Sequence, residues 1–291
     1  MGHKNKKTLI RQVSEELDDQ FRAGKGRKKH VDKQTPDGMT GRIYTDTTLA
    51  TYKKHCCYFV RWAKVAHSCA TLSECKKYVP EWMETRRGLS AWTQKTEASA
   101  LAKLYRCRAE DLGISTPTRK RTAIKRSRGP KRNDAHFSEK NNIEIVTFGR
   151  CTGLRRRELS RIRGSALSEI GGSFYLSVKD GTKGKRERTV RITGTPEEVA
   201  LVVRLCRESG DRRIFPRVPH NMDEHSYRRE YANRIYQFYK RPLWALSRNQ
   251  KYYCRGDLRG VVYDRRALHR ASEALGHSRL CIIPSNYAPD P

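Results

Sequence analysis

No packed core can absorb the stretch STPTRKRTAIKRSRGPKRN, residues 115–133, where eight Lys or Arg stand without one Asp or Glu. Burying such charges without acidic partners costs far more than a core returns, so the stretch stays on the surface and divides the chain into two folding regions. Upstream of it, Leu49, Tyr52, Cys56, Phe59, Val60 and Ala63 recur at spacings of three and four between Thr47 and His67, which predicts an amphipathic helix. Further helical stretches run from Leu72 to Arg86, with Pro80 as a break point, and from Ala91 to Leu112, ending near Gly113. These define a helical domain over 45–114. A polar, basic extension over 1–44 precedes it, with one short helix (Leu9 to Phe21) and then GKGRKK.

Downstream of the linker (115–135) the pattern is mixed. Ser138 is placed to cap a helix reaching Arg150, and Gly153 to end it. SFYLSVK (173–179) and ERTVRIT (187–193) alternate apolar and polar residues around KDGTKGKR, the mark of strand, tight turn and strand. Thr195-Pro196-Glu197-Glu198 combines a capping box with proline at the first helical position, opening a helix to about Ser209. Another helix carries Tyr227, Tyr231, Ile235 and Phe238, and a last one is capped by Asp264 and stopped by Gly276. The expected fold class is α+β: a mainly helical two-domain protein, with a mixed second domain over 136–291 built on a small antiparallel sheet.

Charge narrows the partner. Sixty-two Lys and Arg against 31 Asp and Glu give a net charge of +31, a field that steers a polyanion onto the surface. A nucleic acid is the expected partner. The linker cations Arg119, Lys120, Arg121, Lys125, Arg126, Arg128, Lys131 and Arg132 are expected to lie along its phosphates. No apolar run follows the basic MGHKNKKTLIRQ, so the expected compartment is the cytoplasm, in association with the nucleoid when DNA is bound. Nine cysteines occur without a C-x-x-C pair and are read as reduced thiols. His55, Cys56, Cys57, His67, Cys69 and Cys75 cluster in sequence, but their spacing matches no common zinc template. They are read as residues of a helix core, and neither metal nor other cofactor is expected.

A set of polar residues punctuates the second region. Arg155 follows the Gly153-Leu154 break, Lys183 sits at the hairpin tip, His225 and Arg228 are three apart at a helix start, His277 follows Gly276, and Tyr287 comes ten residues later. Each alone has a plain structural reading as a surface charge, a helix stop or, for Tyr287, an apolar plug. Together they suit attack on a phosphodiester. Two arginines can clamp the non-bridging oxygens with permanently charged, bidentate hydrogen bonds. A histidine can accept the attacking proton and a lysine can protonate the departing 5′-hydroxyl, while a tyrosine forms a covalent intermediate that preserves the bond for resealing.

On TGLRRREL (152–159), KGKRERTV (183–190), HSYR (225–228), LGHSRL (275–280) and Tyr287 in SNYA, residues 136–287 resemble the catalytic domain of the tyrosine recombinases, or phage-type integrases. The resemblance implies that Arg155 and Arg228 form the phosphate clamp, Lys183 the general acid and His225 the general base. It makes His277 a hydrogen-bond donor to the phosphate, Tyr287 the nucleophile and Glu158 a supporting acid. It further implies a core-binding role for 45–114, a homo-tetramer on two double-stranded DNA sites, an accessory DNA-bending or excision factor, and the integration or excision of a mobile element. A type IB topoisomerase, or a DNA-binding protein that keeps the fold without activity, are the alternatives. Tyr252, Tyr253 and Tyr263 are rival nucleophiles, disfavoured because they precede His277.

Overall fold

A computed structural model of the chain describes residues 7–32, 40–120, 137–182 and 187–287. It divides into two compact units, residues 1–124 and 125–291, each with its own apolar core.

In the first unit, α1 (Leu9–Gly24) starts at Thr8, whose hydroxyl accepts from the Arg11 amide, and buries Leu9, Val13, Leu17 and Gln20 on one face. α2 (Lys29–Asp32) is a single turn. α3 (Asp46–His67) is capped by Thr45 and buries Cys56, Phe59, Val60 and Ala63, as the apolar spacing predicts. α4 (Leu72–Lys76) opens on a Thr71/Glu74 capping box. α5 (Val79–Thr85) carries Pro80 in its first turn, where the missing amide costs no helical bond, so the Leu72–Arg86 stretch is broken just before this proline, which opens the second helix. α6 (Ala91–Leu104) completes the bundle. Part of the 1–44 segment thus belongs to this core: α1 packs on α3, and the Gln20 side chain donates to the Lys103 carbonyl at 2.8 Å. Cys56, Cys69 and Cys75 are free and buried. Arg119 and Lys120 are exposed, while Arg121, Lys125, Arg126, Arg128, Lys131 and Arg132 lie outside the described residues.

The second unit begins with α7 (Ile143–Thr152). Its end is fixed by Gly153, whose φ of 58° favours glycine and whose Cβ, if present, would lie 2.4 Å from the Tyr231 ring. After α8 (Arg156–Leu159) come β1 (Leu167–Ile170), β2 (Ser173–Val178) and β3 (Arg188–Arg191), an antiparallel sheet in that order with Leu176 opposite Val190 and Val178 opposite Arg188. β1 is additional to the two expected strands. α9 (Pro196–Ser209) has the expected Thr195/Glu198 capping box. α10 (Glu224–Tyr239) is followed by a second, two-stranded antiparallel sheet, β4 (Lys251–Tyr253) with β5 (Val262–Asp264), then α11 (Arg265–Ala274) and α12 (Ile282–Asn286). α10 and α11 pack on each other, and α7 on α9 and α10, enclosing Phe148, Leu154, Leu159, Leu176, Val190, Tyr231 and Leu268. Among the described residues no helix is long and apolar enough to cross a membrane.

Candidate active site

Three chain breaks aim the polar residues inward. The left-handed turn at Gly153 reverses the chain so that Arg155 becomes the residue preceding α8. Asp223 caps α10 through the Ser226 amide, which sets His225 and Arg228 in its first turns. Gly276, at φ 70°, ends the α11 turn and delivers His277, whose amide donates back to the Ser272 carbonyl at 2.8 Å. α12 then brings Tyr287 to its C-terminal end, buried at 7% exposure.

Arg228 is the largest fully buried side chain among the described residues, 1% exposed. Its Nη1 donates to the Gly153 carbonyl, and its Nη2 to the Leu275 carbonyl at 3.2 Å and to the Tyr287 hydroxyl at 3.4 Å. Its buried Nε has no hydrogen-bond partner among the described residues. Burial pushes the pKa of this guanidinium down from its ordinary value, helped by the Arg155 charge and opposed by Tyr287 and Glu158. His277 Nε2 lies 3.2 Å from the same Tyr287 hydroxyl. Arg155 donates from Nη2 to the Leu275 carbonyl at 3.1 Å, so both arginines meet at one helix end. Arg155, His225, Arg229, His277 and Tyr287 line a single open cleft of about 670 Å³, with His225 exposed at its rim.

Five of the residues singled out from the sequence, Arg155, His225, Arg228, His277 and Tyr287, are therefore gathered around one hydroxyl and one cleft. Lys183 lies outside the described residues. Two positions before it, Gly181 backs so closely onto α8 that an added Cβ would sit 2.5 Å from the Arg157 carbonyl oxygen.

Glu158 is fully buried and does not reach the cleft's hydroxyl; it holds the arginines. It accepts from the Arg155 amide at 2.8 Å and from Arg155 Nη1 at 2.9 Å. It also accepts both terminal nitrogens of Arg188, at 2.9 and 2.7 Å. Burial would raise this carboxyl; the Arg188 hydrogen bonds and charge, with those of Arg155, outweigh it and hold the pKa below its ordinary value. Arg188 is the residue that sequence reasoning missed. It also donates from Nε to the Ala274 carbonyl at 2.9 Å, tying β3 to the end of α11, and Gly276 packs against it. A signal was present: Arg188, Val190 and Ile192 share one face of the strand, and the latter two are core residues, so the alternation puts a cation on the apolar side. Arg156 is a second such residue, bonding the Pro219 and Met222 carbonyls and Glu224 to fix the approach to α10.

No known family pattern matches the sequence, and no curated protein does. Solved structures do. The XerH site-specific recombinase, bound to its palindromic difH substrate in a post-cleavage complex, superposes with a TM-score of 0.53 at 14% identity, covering 96% of this chain and 90% of that one. This chain has the tyrosine recombinase fold. The Tn1549 transposon integrase in complex with transposon right end DNA also matches, over 98% of this chain and 96% of that one, at 12% identity and a TM-score of 0.44. Identities this low carry the fold and not the chemistry.

Proposed function

We propose that the chain is a site-specific DNA recombinase that cuts and rejoins strands through a 3′-phosphotyrosine. The observation that carries this reading is the placement of the Tyr287 hydroxyl within hydrogen-bond reach of Arg228 Nη2 (3.4 Å) and His277 Nε2 (3.2 Å), in a cleft that Arg155 also lines. In the reaction, the Tyr287 oxygen attacks the scissile phosphorus and loses its proton to His225, directly or through water. The bond from phosphorus to the 5′ oxygen breaks, and that oxygen takes a proton from Lys183. Attack by the 5′-hydroxyl of a partner strand reverses the step and releases tyrosine, so the number of phosphoester bonds is unchanged.

Arg155 and Arg228 would hold the non-bridging oxygens, where negative charge grows in the transition state, and His277 would donate a further bond there. Exchange between two duplexes implies four subunits, with the helical first unit and the linker cations gripping DNA. An accessory factor that bends DNA or directs excision, and a mobile element as the natural substrate, complete the reading.

The test uses nicked duplexes spanning the junctions that flank the chain's own coding region. A protein–DNA adduct stable to denaturant, mapped by peptide mass to Tyr287 and absent in Tyr287→Phe, is the expected result. An adduct that persists in Tyr287→Phe refutes it, and relaxation of plasmids lacking any such junction would move the assignment to a topoisomerase.

A further inference from the structure

Between α10 and α11 lies a 27-residue stretch, 240–266, with eight Lys or Arg against two Asp, about twice the net positive charge per residue of the whole chain. It is not a loose loop. Its two ends are pinned where Arg241 meets Asp264: Nε and Nη2 each donate to the carboxylate at 2.8 Å, and the Arg241 amide adds a bond at 3.0 Å. Asp264 is fully buried and its own amide donates to the Tyr236 hydroxyl at 3.0 Å. Leu246 and Cys254 turn into the core at 7% exposure each, and the β4–β5 hairpin is closed by a bond from the Cys254 amide to the Val261 carbonyl at 3.0 Å.

The outward side of this rigid element is cationic and aromatic. Arg248, Arg255 and Arg259 are exposed, as are Tyr253 at 50% and Trp244 at 87%. Between the hairpin and α12 runs a groove of about 550 Å³, lined from the hairpin side by Lys251, Tyr253 and Arg255, and by Arg265. Its far wall is Cys281, Pro284 and Ser285 of the α12 region, while Ile282 and Asn286 of that helix line the Tyr287 cleft. One short helix therefore separates the candidate nucleophile from a second, basic groove.

We infer that this groove holds the DNA backbone immediately flanking the scissile phosphate, with the hairpin cations on phosphates and the exposed aromatics against sugar or base. The inference rests on the proposed function, because a strand seated in the Tyr287 cleft must pass over α12. A duplex presents one phosphate charge per about 1.7 Å of its axis, which suits a row of fixed arginines. A second copy of the same surface, equally cationic, would be repelled by it. Aromatic faces among cations are the combination that holds nucleic acid strands with little regard to sequence.

The experiment measures binding of the full chain to a labelled duplex of roughly 40 base pairs at several salt concentrations. The paired reversal Arg255→Glu with Arg259→Glu is compared with Arg204→Glu and Arg212→Glu, an equal charge change on and just after α9. The hairpin pair should lower the slope of log affinity against log salt by about 1.8, two phosphate contacts' worth, and the α9 pair by much less. Equal effects of the two pairs, or an unchanged slope in the hairpin variant, overturn the inference. So does a change in the oligomeric state of the DNA-free hairpin variant at unchanged slope, which would make the surface a subunit contact. These outcomes leave the Tyr287 adduct, and with it the proposed function, standing; absence of duplex binding by the unaltered chain removes both.

Discussion

Arg188→Ala is the most informative single change in the second unit. It deletes two charged hydrogen bonds to Glu158, at 2.9 and 2.7 Å, and one to the Ala274 carbonyl at 2.9 Å. It leaves a fully buried carboxylate with Arg155 as its remaining partner. Three such bonds at roughly 1.5–3 kcal/mol each would sum to a large part of a typical domain's stability, but they share one guanidinium and do not add. Removing one partner of a buried ion pair costs about 3–5 kcal/mol, mostly the penalty of the charge left behind, and that is the expected loss.

Tryptophan fluorescence is a poor reporter, since Trp62, Trp82 and Trp92 lie in the first unit and Trp244, in the second, is 87% exposed. Amide exchange followed by mass spectrometry in the α7 and β3 peptides is the suitable assay. Opening of that core should become more frequent by about two to nearly four orders of magnitude, since each 1.36 kcal/mol is tenfold. The double change Glu158→Leu with Arg188→Met, which removes both charges, should recover most of the loss. If Arg188→Ala speeds exchange less than about tenfold, the pair behaves like a surface ion pair and its role as the brace of the site is refuted.

Glu158 and Asp264 both have pKa values held below the ordinary carboxylate range by their arginine partners. Their stabilisation is therefore complete above the unfolded values near 4.5 and 3.8 and is lost as pH falls through the lower folded values; acid titration of the melting temperature should steepen below about pH 4.5, and a flat profile there counts against the pairs. Gly153→Ala, which forces a side chain onto the Tyr231 ring at φ 58°, should destabilise the second unit by more than about 1 kcal/mol in urea titration, and an unchanged midpoint would contradict the close approach. Tyr287→Phe should cost no more than about 1.5 kcal/mol, because the hydroxyl makes only long contacts at 3.2 and 3.4 Å, while abolishing the covalent adduct. Arg155→Lys, under the proposed mechanism, should bind duplex nearly as well but form adduct slower by orders of magnitude, since a point charge cannot replace the two-pronged donor; equal losses in binding and rate would refute that division.

Much of the second unit was legible because its signals are local. Gly153, the Thr195 capping box, Asp264 and Gly276 each fix a helix end through bonds within a few residues, and the structure has those ends where the spacing puts them. Short strands were harder to see. β1 pairs with β2 from Leu167–Leu176 down to Ile170–Ser173 across the two-residue Gly171-Gly172 turn, a local hairpin signal, yet LSEI has only four residues and too little alternation to stand out. The β4–β5 hairpin likewise has three-residue strands separated by an irregular stretch, too short for alternation to show. Glu158 was marked by position, but its partner Arg188 is 30 residues away across the hairpin; the strand alternation flags Arg188 as inward-facing without saying which acid it meets. α1 joined the first core although a net basic composition surrounds it, because Leu9, Val13 and Leu17 recur at helical spacing and outweigh the polarity of the rest.

The arrangement of the site also explains how cations can be packed together without acids cancelling them. Arg155 and Arg228 both donate to the Leu275 carbonyl, and Arg188 to that of Ala274, so three guanidiniums converge on the C-terminal end of α11, where unpaired carbonyls and the helix dipole supply partial negative charge. The carboxylate that braces two of them, Glu158, is fully buried between Arg155 and Arg188 and does not line the Tyr287 cleft. Three arginines against one acid leave the cluster cationic. A carboxylate in the cleft would have neutralised it and repelled a phosphate, whereas helix carbonyls fix the guanidiniums through dipoles too weak to do either. The same logic makes the end of α11 the point of greatest sensitivity. A change that lengthened the helix past Gly276 would turn the Leu275 carbonyl back into the helical ladder, release Arg155 and Arg228 together, and carry His277 away from the Tyr287 hydroxyl in the same movement.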